Sequence, residues 1–214
     1  MKFLARMFDD LHLDNGTRSY IAQQLASPHR HYHTAHHLSL MMRHLAHTFD
    51  TYAVGTDERL FALHQWDSWV IATLFHDIVY DPLRSDNEEQ SAFEMRMRMP
   101  PNPSIDLAEK MILATRSHKL LSGNDEESRA INYFLRADLS ILWSFNPHTY
   151  EWYARGVRKE YSHVPNADYR IGRAKVITKL KEDILPYLDA VDCANLSQNI
   201  HWERKALMLG KFDV

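Results

Sequence analysis

The sequence predicts an all-α chain forming one domain, a bundle of roughly nine or ten helices. Three observations carry that reading. Apolar residues recur at three- and four-residue intervals almost everywhere. No segment alternates strictly over the length of a strand. Turn-forming clusters fall between the periodic stretches: Ser27-Pro28, Gly55-Thr56, Asp81-Pro82, residues 100–103, Ser122-Gly123-Asn124, Asn146-Pro147, Val164-Pro165 and Leu185-Pro186.

The helices are read in order. Leu38, Met41, Met42, Leu45 and Phe49 make one stripe, with Thr34 as a suitable N-cap. Leu60, Leu63, Asp67, Val70, Ile71, Leu74 and Ile78 make the next, with one polar exception. Further helices are expected over about 87–98, 104–117, 125–143, 147–161, 168–185 and 194–209. The proline-rich stretch 100–103 is read as a stiff turn, because composition does not change across it. No internal repeat or long linker is visible, so residues 1–214 are expected to form one domain.

Composition narrows the function. The 214 residues are 45% hydrophobic and 25% charged, ordinary globular values. A formal charge of -3 argues against broad nucleic-acid binding. The lone Cys193 excludes an internal disulfide framework and a cysteine-rich zinc site. The start has no secretory character, and no apolar run approaches the roughly 18 residues of a membrane span. A cytoplasmic protein is therefore expected. The 6 glycines form no phosphate-cradling cluster, which disfavours a Rossmann or P-loop site. Histidine is abundant at 14, and seven of these fall between His29 and His47. Imidazole is both a metal ligand and a proton carrier.

Three polar anomalies stand on apolar faces. Residues 69–80 are apolar nearly all round, which predicts burial nearly all round, yet His76 and Asp77 sit at the end of this stretch. Asp138 falls mid-stripe, four residues after Phe134 and four before Leu142. His37 lies on the flank of the 38–45 stripe, able to reach a neighbouring cleft, whereas His36 faces solvent. His44 and His47 lie off the stripe and are read as solvated surface. A buried carboxylate needs a partner. A His–Asp pair or a nearby arginine can serve each one separately, but a divalent cation would serve all at once. His37, His76, Asp77 and Asp138 together suit a first-row divalent ion that keeps one or two waters. The residue types do not distinguish Mn, Fe, Co, Ni, Mg or Zn.

The order His37, His76-Asp77, Asp138 in a helical chain resembles the HD superfamily of metal-dependent phosphohydrolases, whose signature is H…HD…D. The local wording is similar to a bacterial subfamily labelled predicted metal-dependent HD phosphohydrolase. The matching stretches are residues 30–37 (RHYHTAHH), 75–81 (FHDIVYD), 86–92 (DNEEQSA), 137–142 (ADLSIL) and 169–173 (YRIGR). They span about 30 to 173. The resemblance implies an HD-type helical domain, a divalent metal held by His37, His76, Asp77 and Asp138, and hydrolysis of a phosphate ester. Residues 32–37 are also similar to the YHNxxH stretch of cyclic-nucleotide phosphodiesterases. That similarity implies that His33 protonates the leaving oxygen, with Thr34 a departure from the Asn.

Other polar residues fill out the expectation. Glu88 or Glu89 can orient a metal-bound water or act as base, with Glu88 the favoured one; either also suits a helix N-terminus as a charge complementing the dipole. Arg30, His118, Lys119 and Arg173 are the candidate substrate contacts; His118 is also open to serving a second metal or standing as a surface cation at a helix end. Arg158 and Glu160 are read as surface or inter-helix pairs. Trp143, Phe145, Tyr150, Trp152, Tyr153 and Tyr161 have the spacing of a core, with a nucleobase pocket as the other reading. The expected partner is a small phosphorylated, nucleotide-like molecule, with no membrane and the oligomeric state open. Two alternatives stand beside hydrolysis. One is a non-catalytic metal- or nucleotide-binding regulator. The other is an HD-type di-iron oxygenase, disfavoured because His118 is the sole histidine between Asp77 and Asp138.

Overall fold

A computed structural model of the chain describes residues 2–51 and 53–214, and their side chains except those of Lys2 and Thr48. Among the described residues the structure is all-helical and contains no strand. The α-helices are α1 (Lys2–Asp10), α2 (Asn15–Leu25), α3 (Ala35–Thr51), α4 (Asp57–Phe75), α5 (Asn87–Arg98), α6 (Pro103–Ala114), α7 (Glu126–Leu139), α8 (Pro147–Glu160), α9 (Asn166–Ile184) and α10 (Ala190–Met208). Two 3₁₀ turns occupy Ser140–Trp143 and Leu185–Tyr187. None of these helices is long and apolar enough to cross a membrane.

The chain divides into two compact units. The first comprises residues 1–27 and 33–138, the second 28–32 and 139–214. The proline-rich stretch 100–103 lies inside the first unit and starts a helix: Asn102 accepts from the Ile105 N–H and Pro103 supplies the first turn.

Helix α4 is the axis of the first unit and packs on α3, α5 and α6. Thr56 caps its start, with Asp57 and Glu58 complementing the dipole. Every residue from Ser68 to His76 is buried, as the all-round apolar pattern predicts. The Trp69 indole N–H donates to the Ala130 carbonyl, which locks α4 against α7. The N-terminal half of the expected stripe is corrected: Leu60 and Leu63 are 47% and 52% exposed. Phe61, Ala62 and Gln65 are buried instead. Here Arg129 lies over the Phe61 ring at 4.3 Å, and Gln65 bonds Glu126, so neighbouring polar groups set which face turns inward.

The second unit is built around α10, which packs on α8, α9 and the 3₁₀ turn at 140–143. Trp143, Tyr150 and Tyr153 are buried here, which favours the core reading of that aromatic group; Phe145 is exposed. Arg158 and Glu160 are corrected from surface pairs to buried anchors of the main chain. Glu160 Oε1 accepts from the backbone N–H groups of His31 and Tyr32, each at 2.7 Å. The Arg158 guanidinium donates to the carbonyls of Tyr161, Val164 and Phe212. A guanidinium with five donors can satisfy several orphan carbonyls at once, a role that sequence spacing does not announce.

Gly156 allows the 28–32 segment to lie directly on α8. A Cβ at that position would sit 3.0 Å from the Tyr32 Cβ and 3.2 Å from the His31 carbonyl. Backbone cannot yield as a side-chain tip can. Gly156→Ala should therefore destabilise the protein by about 1–3 kcal/mol despite its better helix propensity. Urea unfolding checks this; a neutral or stabilising result would show the contact to be soft.

Candidate metal centre

The site forms where three chain segments end against one another inside the first unit. His76 follows the last residue of α4, and its backbone N–H still donates to the Ala72 carbonyl, so the helix ladder fixes its position. Asp138 lies in the last turn of α7, on the same face as buried Phe134 and Leu135. His37 lies in the first turn of α3. Thr34 precedes that helix, and its hydroxyl accepts from the His36 N–H at 3.3 Å.

His37, His76 and Asp138 form one buried group that can hold a metal ion. His37 Nε2 is 3.2 Å from His76 Nε2 and 3.1 Å from Asp138 Oδ1, and His76 Nε2 is 3.8 Å from that oxygen. Ligand atoms bound at ~2.1 Å to one ion stand about 3.0 Å apart at right angles and about 3.4 Å apart at tetrahedral corners. Two of the observed separations, 3.1 and 3.2 Å, fall between those edges, and the third, 3.8 Å, lies beyond them. Asp77 Oδ2 is 2.9 Å from His76 Nε2 and 4.0 Å from His37 Nε2, with a side chain 21% exposed against 10% for Asp138. The donor set of two imidazoles and carboxylates matches a borderline divalent cation.

The ring orientation of His76 is fixed from behind. Its Nδ1 lies 3.1 Å from the Thr73 carbonyl, so a proton on Nδ1 has an acceptor and Nε2 is directed at the cluster. Asp138 is fixed in the same way by His118, whose Nε2 is 2.9 Å from Oδ2. His33 borders the cluster: its Nε2 is 3.9 Å from Asp77 Oδ2, its ring stacks on Tyr80 at 4.1 Å, and 18% of its side chain is exposed.

Charge follows from this geometry. Burial disfavours a proton on His37 and lowers its pKa, although Asp138 pulls the other way. Burial also opposes a proton on His76, but Asp77 and Asp138 outweigh it and raise that pKa to about 9. Asp138 is held well below the usual carboxylate range: burial pushes it up, and the hydrogen bonds of His118 and His37 pull it down further. Asp77 is lowered against its burial by the charge of His76 and by His33. The two carboxylates thus depend on the surrounding imidazoles for compensation, and a cation would add to it.

The loop that carries His76 and Asp77 is held by α5. Asn87 accepts from the Asp81 N–H and donates to the Asp81 carbonyl; Ser91, four residues on, does the same for Val79. These account for two polar residues of the 86–92 stretch. Asn132 of α7 grips Leu121 through both backbone groups and so holds the loop after His118.

Of the remaining candidates, Glu88 is half-buried in the first turn of α5, beside Glu89, which pairs with Arg116. Lys119 is exposed. Arg30 and Arg173 are buried and belong to the second unit. The Arg173 guanidinium is already engaged by Glu203 at 2.7 Å, and the same carboxylate accepts from the Tyr150 hydroxyl at 2.5 Å. His44 is corrected from solvated surface: burial lowers its pKa to about 4, with Arg136 contributing. His36 and His47 are exposed, as expected. Comparison of the chain with protein-family models, with curated proteins and with solved structures returns no match.

The ion-free protein should be most stable near pH 6.5. Below that value an unfolded histidine gains a proton that buried His37 and half-buried His44 resist, so stability falls as pH drops. His76 acts in the opposite direction. Its contribution is full below about 6.5 and is lost as pH rises through about 9. Thermal unfolding in chelator across this range measures both limbs. His76→Asn should flatten the alkaline limb alone, and stability that climbs from pH 6.5 to 9 would contradict the assignment.

Proposed function

We propose that the chain is a metal-dependent phosphohydrolase of the HD superfamily, acting on a phosphate ester of a small nucleotide-like molecule. The observation that carries the reading is the convergence of His37 Nε2, His76 Nε2 and Asp138 Oδ1 in one buried group. The H…HD…D order supports it, as does the position of Asp77 Oδ2 beside both imidazoles. In this reading Asp77 is the fourth ligand. An ion held by these groups supplies a Lewis acid for the phosphoryl oxygen and an acidified water as nucleophile.

The chain's own residues supply the rest. His33, partly exposed and beside Asp77, delivers a proton to the leaving oxygen. Its stack on Tyr80 restricts the plane of the ring. Glu88 is the base candidate next to the loop that Asn87 clamps. Lys119, exposed one residue after His118, is a cation that can meet substrate phosphate.

Elemental analysis of the purified protein and a hydrolysis screen test the reading. The screen pairs Mn²⁺, Co²⁺, Ni²⁺ or Mg²⁺ with nucleotides, sugar phosphates and a chromogenic phosphodiester. Asp138→Ala should lose the metal and the activity together. His33→Ala should keep the metal and lose turnover by about 10²- to 10⁴-fold. Bound metal with no turnover on any substrate would favour a regulatory binding protein, and absence of metal under every condition would end the proposal. Metal uptake near pH 7 should release about one proton, because the ion replaces the one held by His76. Titration in weak buffer with a pH indicator measures that release.

A further inference from the structure

His118 holds a backbone conformation that a glycine would adopt at less cost. It follows α6 with φ at +51°, the left-handed region that a non-glycine residue enters at a cost of about 1–2 kcal/mol. His118 and His12 are the two non-glycine residues at positive φ among the described residues. The turn keeps ordinary contacts: the His118 N–H donates to the Ala114 carbonyl, and Thr115 bonds back to Ile112. A glycine would close the same turn without strain. The strain has a counterpart in the side chain, which reaches Asp138 Oδ2 at 2.9 Å.

That contact decides how Asp138 presents itself. One carboxylate oxygen, Oδ1, faces His37 and His76; the other, Oδ2, is occupied by His118. With Oδ2 held, the carboxylate cannot rotate freely, and it offers one oxygen to the cluster. We propose that His118 is a positioning residue: its ring N–H holds Asp138 so that Oδ1 alone is presented to a bound cation. This deepens the proposed function and rests on it. The role differs from phosphate contact, which would leave the ring free of the ligand set. It also differs from ligation of a second ion, which would need the Nε2 lone pair that this hydrogen bond uses.

Metal affinity and fold stability separate these roles. Mn²⁺ binding to the full-length chain is measured by isothermal titration for the wild type, His118→Gly and His118→Gln, with thermal unfolding of each in chelator. His118→Gly relieves the backbone strain but strips Asp138 Oδ2 of its partner, so the two effects offset and its metal-free Tm should stay close to that of the wild type. Its Mn²⁺ affinity should fall 10- to 100-fold, the range for losing a group that orients a ligand. His118→Gln restores an N–H donor and should recover most of the loss. Unchanged affinity in His118→Gly, or His118→Gln no better than His118→Gly, overturns the proposal. So does a stoichiometry of two Mn²⁺ in the wild type falling to one in both variants, which would make His118 a ligand. So does a His118→Gly protein whose metal-free Tm drops while affinity holds. A wild type that binds no Mn²⁺ defeats the proposed function itself, an outcome distinct from these.

Discussion

The structure is organised around a group of ionisable side chains that water no longer solvates. His37 Nε2 and His76 Nε2 approach to 3.2 Å, too close for two imidazolium charges to coexist. One ring therefore stays neutral while the other is charged, and the charge falls on His76, the one in contact with Asp77. Removing such ions from water costs several kcal/mol each unless they find partners. Each member of the cluster is a partner to another, so none can be deleted without stranding its neighbour.

The elements that deliver these groups do so at their ends. The C-terminal turns of α4 and α7 present His76 and Asp138, at helix ends where the dipole favours positive charge nearby. The first turn of α3 presents His37. Side chains at helix ends depend on the neighbouring loops, and here the loop after α4 is held by main-chain contacts from Asn87 and Ser91, the loop before α7 by Asn132. Packing gives rigidity behind the site: Trp69 and Phe75 are buried on α4, and Phe134 meets the His76 ring edge-on at 6.0 Å. The chemistry therefore rests on a dry wall, with His33 and Asp77 on its wetter side.

Much of this was legible in the amino-acid pattern because burial and helical period act locally. Helix α5 spans the expected 87–98, and the projection of stripes singled out His37 and Asp138 while assigning His36 to solvent. Where the pattern misled, a contact distant in sequence was responsible. Leu60 and Leu63 follow the periodicity, but Arg129 and Glu126 from α7 select the other face. His44 is off the apolar stripe of its own helix, yet other groups enclose it. Arg158 and Glu160 looked like ordinary surface charges two residues apart, and each instead serves backbone groups, some of them over fifty positions away. The partner of His118 is twenty residues on, and its left-handed backbone leaves no mark in composition.

The grip of Asn87 and Ser91 touches only peptide groups of Asp81 and Val79. A clasp of that kind is blind to the identity of what it holds. Between its two halves and the helix, Leu83 projects outward and Arg84 pairs with Asp86 in the open. Apart from Tyr80, which stacks on His33, and Asp81, whose carboxylate accepts from the Leu83 N–H, the surface of this loop is thus free to be rewritten by substitution while its spine stays in register. Shape and chemistry at the rim can drift independently of the cluster beneath.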